Sequence, residues 1–134
     1  MEELKVIARY RNGKLVKGTT NNFMHRNPAF HMRPLNGQVS QPPIQVQVRD
    51  LKAVFVVRSF GGNPGYHEKK NFQPGATPYG RKLKVTFEDG ETISGASANY
   101  DPDGQGFFLT PADPASNNER IYVVNEAVRN VQLL

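Results

Sequence analysis

Three histidines, a scatter of basic residues and one acidic, glycine-rich loop are the parts of this 134-residue chain whose types are suited to chemistry. His25 and His31 flank a loop and His67 lies further on, but no carboxylate or thiol stands near them at ligand spacing, which argues against a metal site. The chain has no cysteine, hence no disulfide framework and no thiolate ligand, in keeping with a reducing cytoplasm. Asp101-Pro102-Asp103-Gly104-Gln105-Gly106 has the look of a calcium loop, yet such loops need flanking helices and a bidentate Glu at their twelfth position. Residue 112 is Ala and the flanks read as strands, so a turn is expected. No glycine-rich phosphate loop, nucleophile elbow or pair of catalytic carboxylates is present. The expectation is a non-catalytic protein without a cofactor.

Charge is shared unevenly. Residues 1–57 hold nine Lys/Arg against three Asp/Glu, whereas residues 78–134 hold five against eight. A basic surface is the footprint of phosphate recognition. Arg9, Arg11, Lys14 and Lys17 fall on one predicted hairpin, His25, Arg26 and Arg33 in or near the next loop, and Arg49 in the last turn of the basic half. These eight are the candidate nucleic-acid-binding residues. Tyr10, Phe23 and Phe30 are interleaved and suited to base stacking, but the acidic half carries Phe87, Tyr100 and Phe107 at matching places, which favours a core role. Opposite halves also allow the basic part of one chain to meet the acidic part of the next.

The elements that position these groups read as β throughout. Twelve glycines, ten prolines and short runs rich in Val, Ile and Phe indicate many strands and turns. The pattern is clearest from Lys84 to Leu109, where Glu88-Asp89-Gly90 and Asp101-Pro102-Asp103-Gly104 separate three strands. Asn125–Leu134 has some helical spacing, but Val128, Val131 and Leu133 equally suit a strand, which is preferred.

The chain repeats itself at an offset of 77, with nine identities between residues 1–57 and 78–134: Lys5, Gly13, Gly18, Asn22, Phe30, Pro34, Ile44, Val46 and Val54. These fall on turn glycines, mid-strand glycines and apolar strand positions. Five strands are predicted per copy: Leu4–Arg11, Lys14–Asn22, Ala29–Arg33, Ile44–Arg49 and Ala53–Val57, then Arg81–Glu88, Glu91–Tyr100, Phe107–Thr110, Arg120–Val124 and Arg129–Leu134. The domain reading is a basic barrel over 1–57, a linker over 58–79 and an acidic barrel over 80–134. Phe60, Tyr66 and Phe72 make the linker too aromatic for a free tether, so it should pack on the barrels. Units near 57 residues are marginal alone, so the two should share an interface or the chain should oligomerise. Pro42-Pro43 is placed to blunt a sheet edge. No apolar run approaches the ~20 residues of a membrane helix, and the first residues lack the apolar segment of a signal peptide.

A long bent hairpin, a short third strand and two strands split by a tight turn resemble the Sm-like (Lsm/Hfq-like) fold. Asp89-Gly90, Ile93, Gly95, Tyr100-Asp101 and Phe108 sit like the first Sm motif and 121–131 like the second. Asn12-Gly13, Val16, Gly18 and Phe23 follow in the first copy. DLKAVFVVRSF, GFFLTPADPASNN and YVVNEAV make the whole chain similar to a bacterial family of tandem Sm-like β-barrel proteins. The resemblance implies a binding or adaptor module. Its alternatives are an RNA- or nucleotide-binding regulator using the basic copy, or a structural oligomerisation module. Sm proteins hold RNA with an Asp and an Asn in the loop after the second strand and an Arg-Gly before the last. Here Asp101 fits the Asp, Gln105 stands near the Asn and Asn125-Glu126 replaces Arg-Gly; the first copy has Met24, Pro28 and Arg49-Asp50. The helix expected before the first strand is also missing. The RNA site is therefore not carried over intact.

Overall fold

The computed structural model describes residues 3–35 and 41–134. Its first half holds β1 (Leu4–Tyr10), β2 (Leu15–Thr20), β3 (Ala29–Pro34), β4 (Ile44–Gln47) and β5 (Leu51–Val57). The second holds β6 (Arg81–Phe87), β7 (Thr92–Ser97), β8 (Gly106–Pro111), β9 (Asn118–Val124) and β10 (Val128–Leu133). One 3-10 turn, Val48–Asp50, separates β4 from β5, and another, Asn125–Ala127, separates β9 from β10. The protein is all-β, and 125–134 is a turn and a strand rather than a helix. The bounds of β1, β2 and β3 recur 77 residues on in β6, β7 and β8, as do those of the 3-10 turns.

The repeated residues act alike in the two halves. Gly13 and Gly90 adopt φ of +92° and +91°, and their N–H groups donate to the Tyr10 and Phe87 carbonyls at 3.0 and 2.9 Å, closing each first hairpin. A Cβ on Gly18 would stand 2.3 Å from the Arg33 carbonyl oxygen, and one on Gly95 2.4 Å from that of Thr110. Both glycines lie where the second and third strands of a half cross closely. Asn22 Oδ1 accepts from the His31 backbone N–H at 2.9 Å, and Asn99 Oδ1 from that of Phe108 at 3.2 Å. Those bonds tie the end of each bent strand to its neighbour, so β2 and β7 stop sooner than their apolar pattern predicts.

The hydrogen-bonded ladder differs from two separate barrels. It runs through both halves as one open antiparallel sheet, ordered β10-β6-β7-β8-β9-β5-β1-β2-β3-β4. The halves join where β5 pairs with β9, Ala53 opposite Val123 and Phe55 opposite Ile121. Strand residues alternate between faces, so β5 and β9 serve two cores. Val54, Val56, Tyr122 and Val124 face a core with Val6, Phe30 and Met32; Ala53, Phe55, Ile121 and Val123 face another with Leu83, Phe87 and Phe107. This double duty explains why every residue of LKAVFVV in β5 is buried, with Lys52 the one break in its apolar run.

The segment between β5 and β6 is fastened to the second half. The Arg58 N–H donates to the Asn117 carbonyl at 2.9 Å and the Ser59 N–H to Asn117 Oδ1 at 3.1 Å. Phe60 packs against the second core, and Phe72 lies under the Lys82 ammonium at 5.2 Å. It is a strap across the joint. Pro42-Pro43 immediately precedes β4, a terminal strand of the sheet.

Gly95→Val should lower stability by about 2–4 kcal/mol, since the new side chain meets backbone that cannot yield. Gly65→Ala, with open space and no positive φ, should leave the melting temperature within a degree or two. Thermal unfolding of both variants checks this; an unshifted Gly95→Val refutes the close-crossing account.

Candidate functional site

The eight basic candidates do not converge. Arg9 projects from β1 with its guanidinium 5.5 Å from the Phe55 ring centre. Arg11 leaves the first hairpin tip to meet Glu88 at 3.0 Å and Glu126 at 3.6 Å, spanning the halves. Lys14 lies 5.7 Å over Tyr10, and Lys17 Nζ donates to the Phe60 carbonyl at 3.4 Å. Arg33 lines a shallow hollow with His31 and Pro43, and Arg49 is exposed on the first 3-10 turn. Only His25 and Arg26 share a cavity. Of the interleaved aromatics, Phe23 and Phe30 are buried and Tyr10 half-buried, so they are core.

The His25–Arg26 cavity, of about 250 Å³, lies between the β2–β3 loop and the β7–β8 loop, with Asp101, Gly104 and Gln105 on its far wall. Its amides are already engaged. Asn125 Nδ2 donates to the Asp101 and Gly104 carbonyls, both at 2.8 Å. Gln105 Nε2 donates to the Asn27 carbonyl at 3.0 Å and the His25 carbonyl at 3.3 Å, and the Tyr122 hydroxyl also reaches the His25 carbonyl, at 2.7 Å. Burial raises the Tyr122 pKa, so the hydroxyl stays a donor. Of the residues at the Sm-type positions, Gln105 therefore ties the two halves together, whereas Asn125 closes the Asp101 loop within the second half, and that loop is a turn. Among the described residues no three His, Asp or Glu side chains stand together to hold a metal.

A second cleft, of about 190 Å³, opens on the other face of the joint. Ile7 and Arg9 from β1 and Phe55 from β5 form one wall; Thr92, Ile93 and Ser94 from β7 form the other. Asn118 and Ile121 close the floor, and Glu68-Lys69-Lys70 of the strap form the rim. Both carboxylates are committed: Glu68 accepts from the Ser116 hydroxyl at 2.7 Å, and Glu91 takes the Lys52 ammonium. Among the described residues Arg9 and Lys70 form no ion pair. The cleft thus offers cations, two hydroxyls and an amide around an apolar patch, a set suited to an anionic group.

Asp113 holds the rim in place. Buried in the loop after β8, it accepts the Lys69 backbone N–H at 2.8 Å, the Ala115 N–H at 2.9 Å and the Tyr66 hydroxyl. The Lys69 N–H first, and then Tyr66, hold its pKa below the usual aspartate value. The same bond raises the Tyr66 pKa. Lys52 is the other cross-joint fastening: its stem is buried in β5, and its ammonium meets Asp89 at 2.7 Å and Glu91. Burial pulls the Lys52 pKa down, but the hydrogen bonds to Asp89 and Glu91 outweigh it and the net shift is upward. Asp89 is correspondingly lowered by Lys52.

The eight-residue basic set omits Lys52, Tyr66, Lys69, Lys70, Asp113 and Tyr122, whose roles depend on contacts 37 or more residues apart or on the strap. One local signal existed: Lys52 interrupts an otherwise apolar strand, and a buried lysine needs partners.

No helix among the described residues is long and apolar enough to cross a membrane. The chain belongs to a family of unknown function (DUF6982), which matches residues 2–134. No curated protein and no solved structure matches it.

Asp113 is depressed, so its contribution to holding the strap is complete above the ordinary aspartate value of about 3.9 and is lost as pH falls through the lower folded value. Hydrogen-exchange protection factors across 64–70, which correct for the intrinsic pH dependence of exchange, should therefore hold from neutral pH to about 4 and fall below that. Asp113→Ala should free the same segment at neutral pH; protection that persists in this variant refutes the fastening.

Proposed function

We propose that this protein is a non-catalytic binding module of Sm-like architecture that takes a phosphate-bearing group in the strapped cleft. The Sm-like reading is supported by the layout of each half: a bent hairpin, a short third strand and two strands split by a 3-10 turn. The observation that carries the function is the cleft's charge arrangement. Arg9 and Lys70 lack ion-pair partners among the described residues, Lys69 is pinned at the rim, and both acidic neighbours are occupied. At about 190 Å³ the cleft is below the usual 300–1,000 Å³ of sites that enclose whole ligands. It fits a phosphate or diphosphate end, with the remainder of a nucleotide or partner outside. An extended RNA track is less well supported, because the eight basic candidates point to separate surfaces.

Titration calorimetry with ATP and with pyrophosphate at low salt tests this. Both should bind, with affinity falling as salt rises. Arg9→Ala and Lys70→Ala should each weaken binding by about tenfold or more, the worth of a charge-assisted hydrogen bond, whereas Arg33→Ala on the remote hollow should not. Absence of binding at low salt, or equal loss in all three variants, rejects the cleft as the site.

A further inference from the structure

The internal joint carries a rule that the chain applies only once. Strand β5 of the first half pairs with β9 of the second. Shifted by 77 residues, β5 becomes β10 and the pairing part of β9 becomes β4. Those are the two strands at the ends of the sheet, each paired on one side only among the described residues. The sheet therefore ends in the two complementary halves of a joint that it already makes in its middle.

We propose that the β4 edge of one chain pairs with the β10 edge of a second copy, repeating the β5–β9 joint head to tail. The internal register transfers directly. Phe55 opposite Ile121 and Ala53 opposite Val123 become Gln132 opposite Ile44 and Asn130 opposite Val46. Apolar side chains wait on both edges: Ile44 is 36% exposed on β4, Leu133 is 54% exposed on β10, and Leu134, just past its end, is 58% exposed. Their counterparts Ile121, Val56 and Val57 are buried in the internal joint.

The charges at the hairpin tips transfer with inverted sign. Inside the chain Arg11 meets Glu88, which is its own counterpart 77 residues on, and Glu126. In the proposed joint the corresponding groups are Glu88 of one copy against Arg11 and Arg49 of the other. Arg11 and Glu88 then alternate along the assembly, each attracted on both sides. One pair is mismatched: Lys52, which meets Asp89 and Glu91 internally, becomes Arg129 facing Asn12 and Lys14. The repeated joint is also shorter, because Pro43 precedes β4 and lacks a ladder N–H, and more polar, because Gln45 and Gln47 replace Tyr122 and Val124. It is a reversible contact, unlike the internal one. Because the contact is heterologous, repetition gives rings or filaments rather than an isologous dimer.

Sedimentation velocity over a concentration series at low salt tests the joint. The expected result is mass rising in steps of 15.0 kDa. Arg49→Glu, which touches nothing in the internal joint, should weaken association by about threefold, and Arg129→Glu, which removes the clash with Lys14, should strengthen it by a similar factor. Stronger association that reverses on dilution, in a variant with an unchanged melting temperature, cannot come from misfolding. A chain that stays at 15.0 kDa throughout overturns the proposal, as does association that neither variant moves. The measurement does not involve the strapped cleft, so it stands apart from the ligand reading.

Discussion

Pairing of β5 with β9 is the constraint on which the rest of the molecule depends. Each half alone would bury too little apolar surface to be secure, since five short strands cannot enclose a large core. Joining the halves through two strands lets each lend one face to its neighbour's core. Tyr122 shows the consequence. It belongs to a strand of the second half, yet its ring packs 5.2 Å from Phe23 in the first half's core. Its hydroxyl then satisfies a loop carbonyl of that half. Separating the halves would expose Tyr122, Phe55, Val54 and Val56 together.

Once the joint exists, the other features follow. The two bent halves of the sheet, meeting along one pair of strands, leave a groove on each side. On one side the facing loops meet across it through amide-to-carbonyl bonds from Gln105. On the other side the strap crosses it, and polar and cationic groups line the space beneath. The strap is held by Asp113 rather than by a strand, so the backbone groups at the rim are ordered without being consumed by a ladder. Lys52 and Arg11 then fasten the hairpin tips across the same joint, one with a buried stem and one at the surface. The exposed Arg11–Glu88 pair contributes less than about 1 kcal/mol on its own; its value is in setting register and partner.

The difference between the two copies is itself informative. LKAVFVV in β5 is apolar at every position but one, whereas its counterpart in β10 reads VRNVQL. Tyr122 and Val124 in β9 have Gln45 and Gln47 as counterparts in β4. Duplicate strands have thus diverged according to what covers them: the pair inside the sheet became apolar on both faces, and the pair at its ends kept one apolar face. Edge strands with glutamine, arginine and proline resist indiscriminate pairing, while retaining a backbone that a complementary edge can meet.

Sequence alone determined what depends on neighbouring residues. The ten strands, the offset of 77 and the turns at Gly13 and Gly90 were all legible, because alternation and backbone geometry act over a few residues. Tertiary structure decided which strands meet between halves, and with that turned two expected barrels into one continuous sheet. It also scattered Arg9, Arg11, Lys17 and Arg49, which are close in the chain or in charge, over different surfaces, and brought Lys69, Lys70 and Arg9 around one cleft. The physical reason is that side-chain alternation states which residues of a strand face inward but not which partner covers them. That choice is settled by long-range pairing, where burial of β5 on both faces outweighs any local preference.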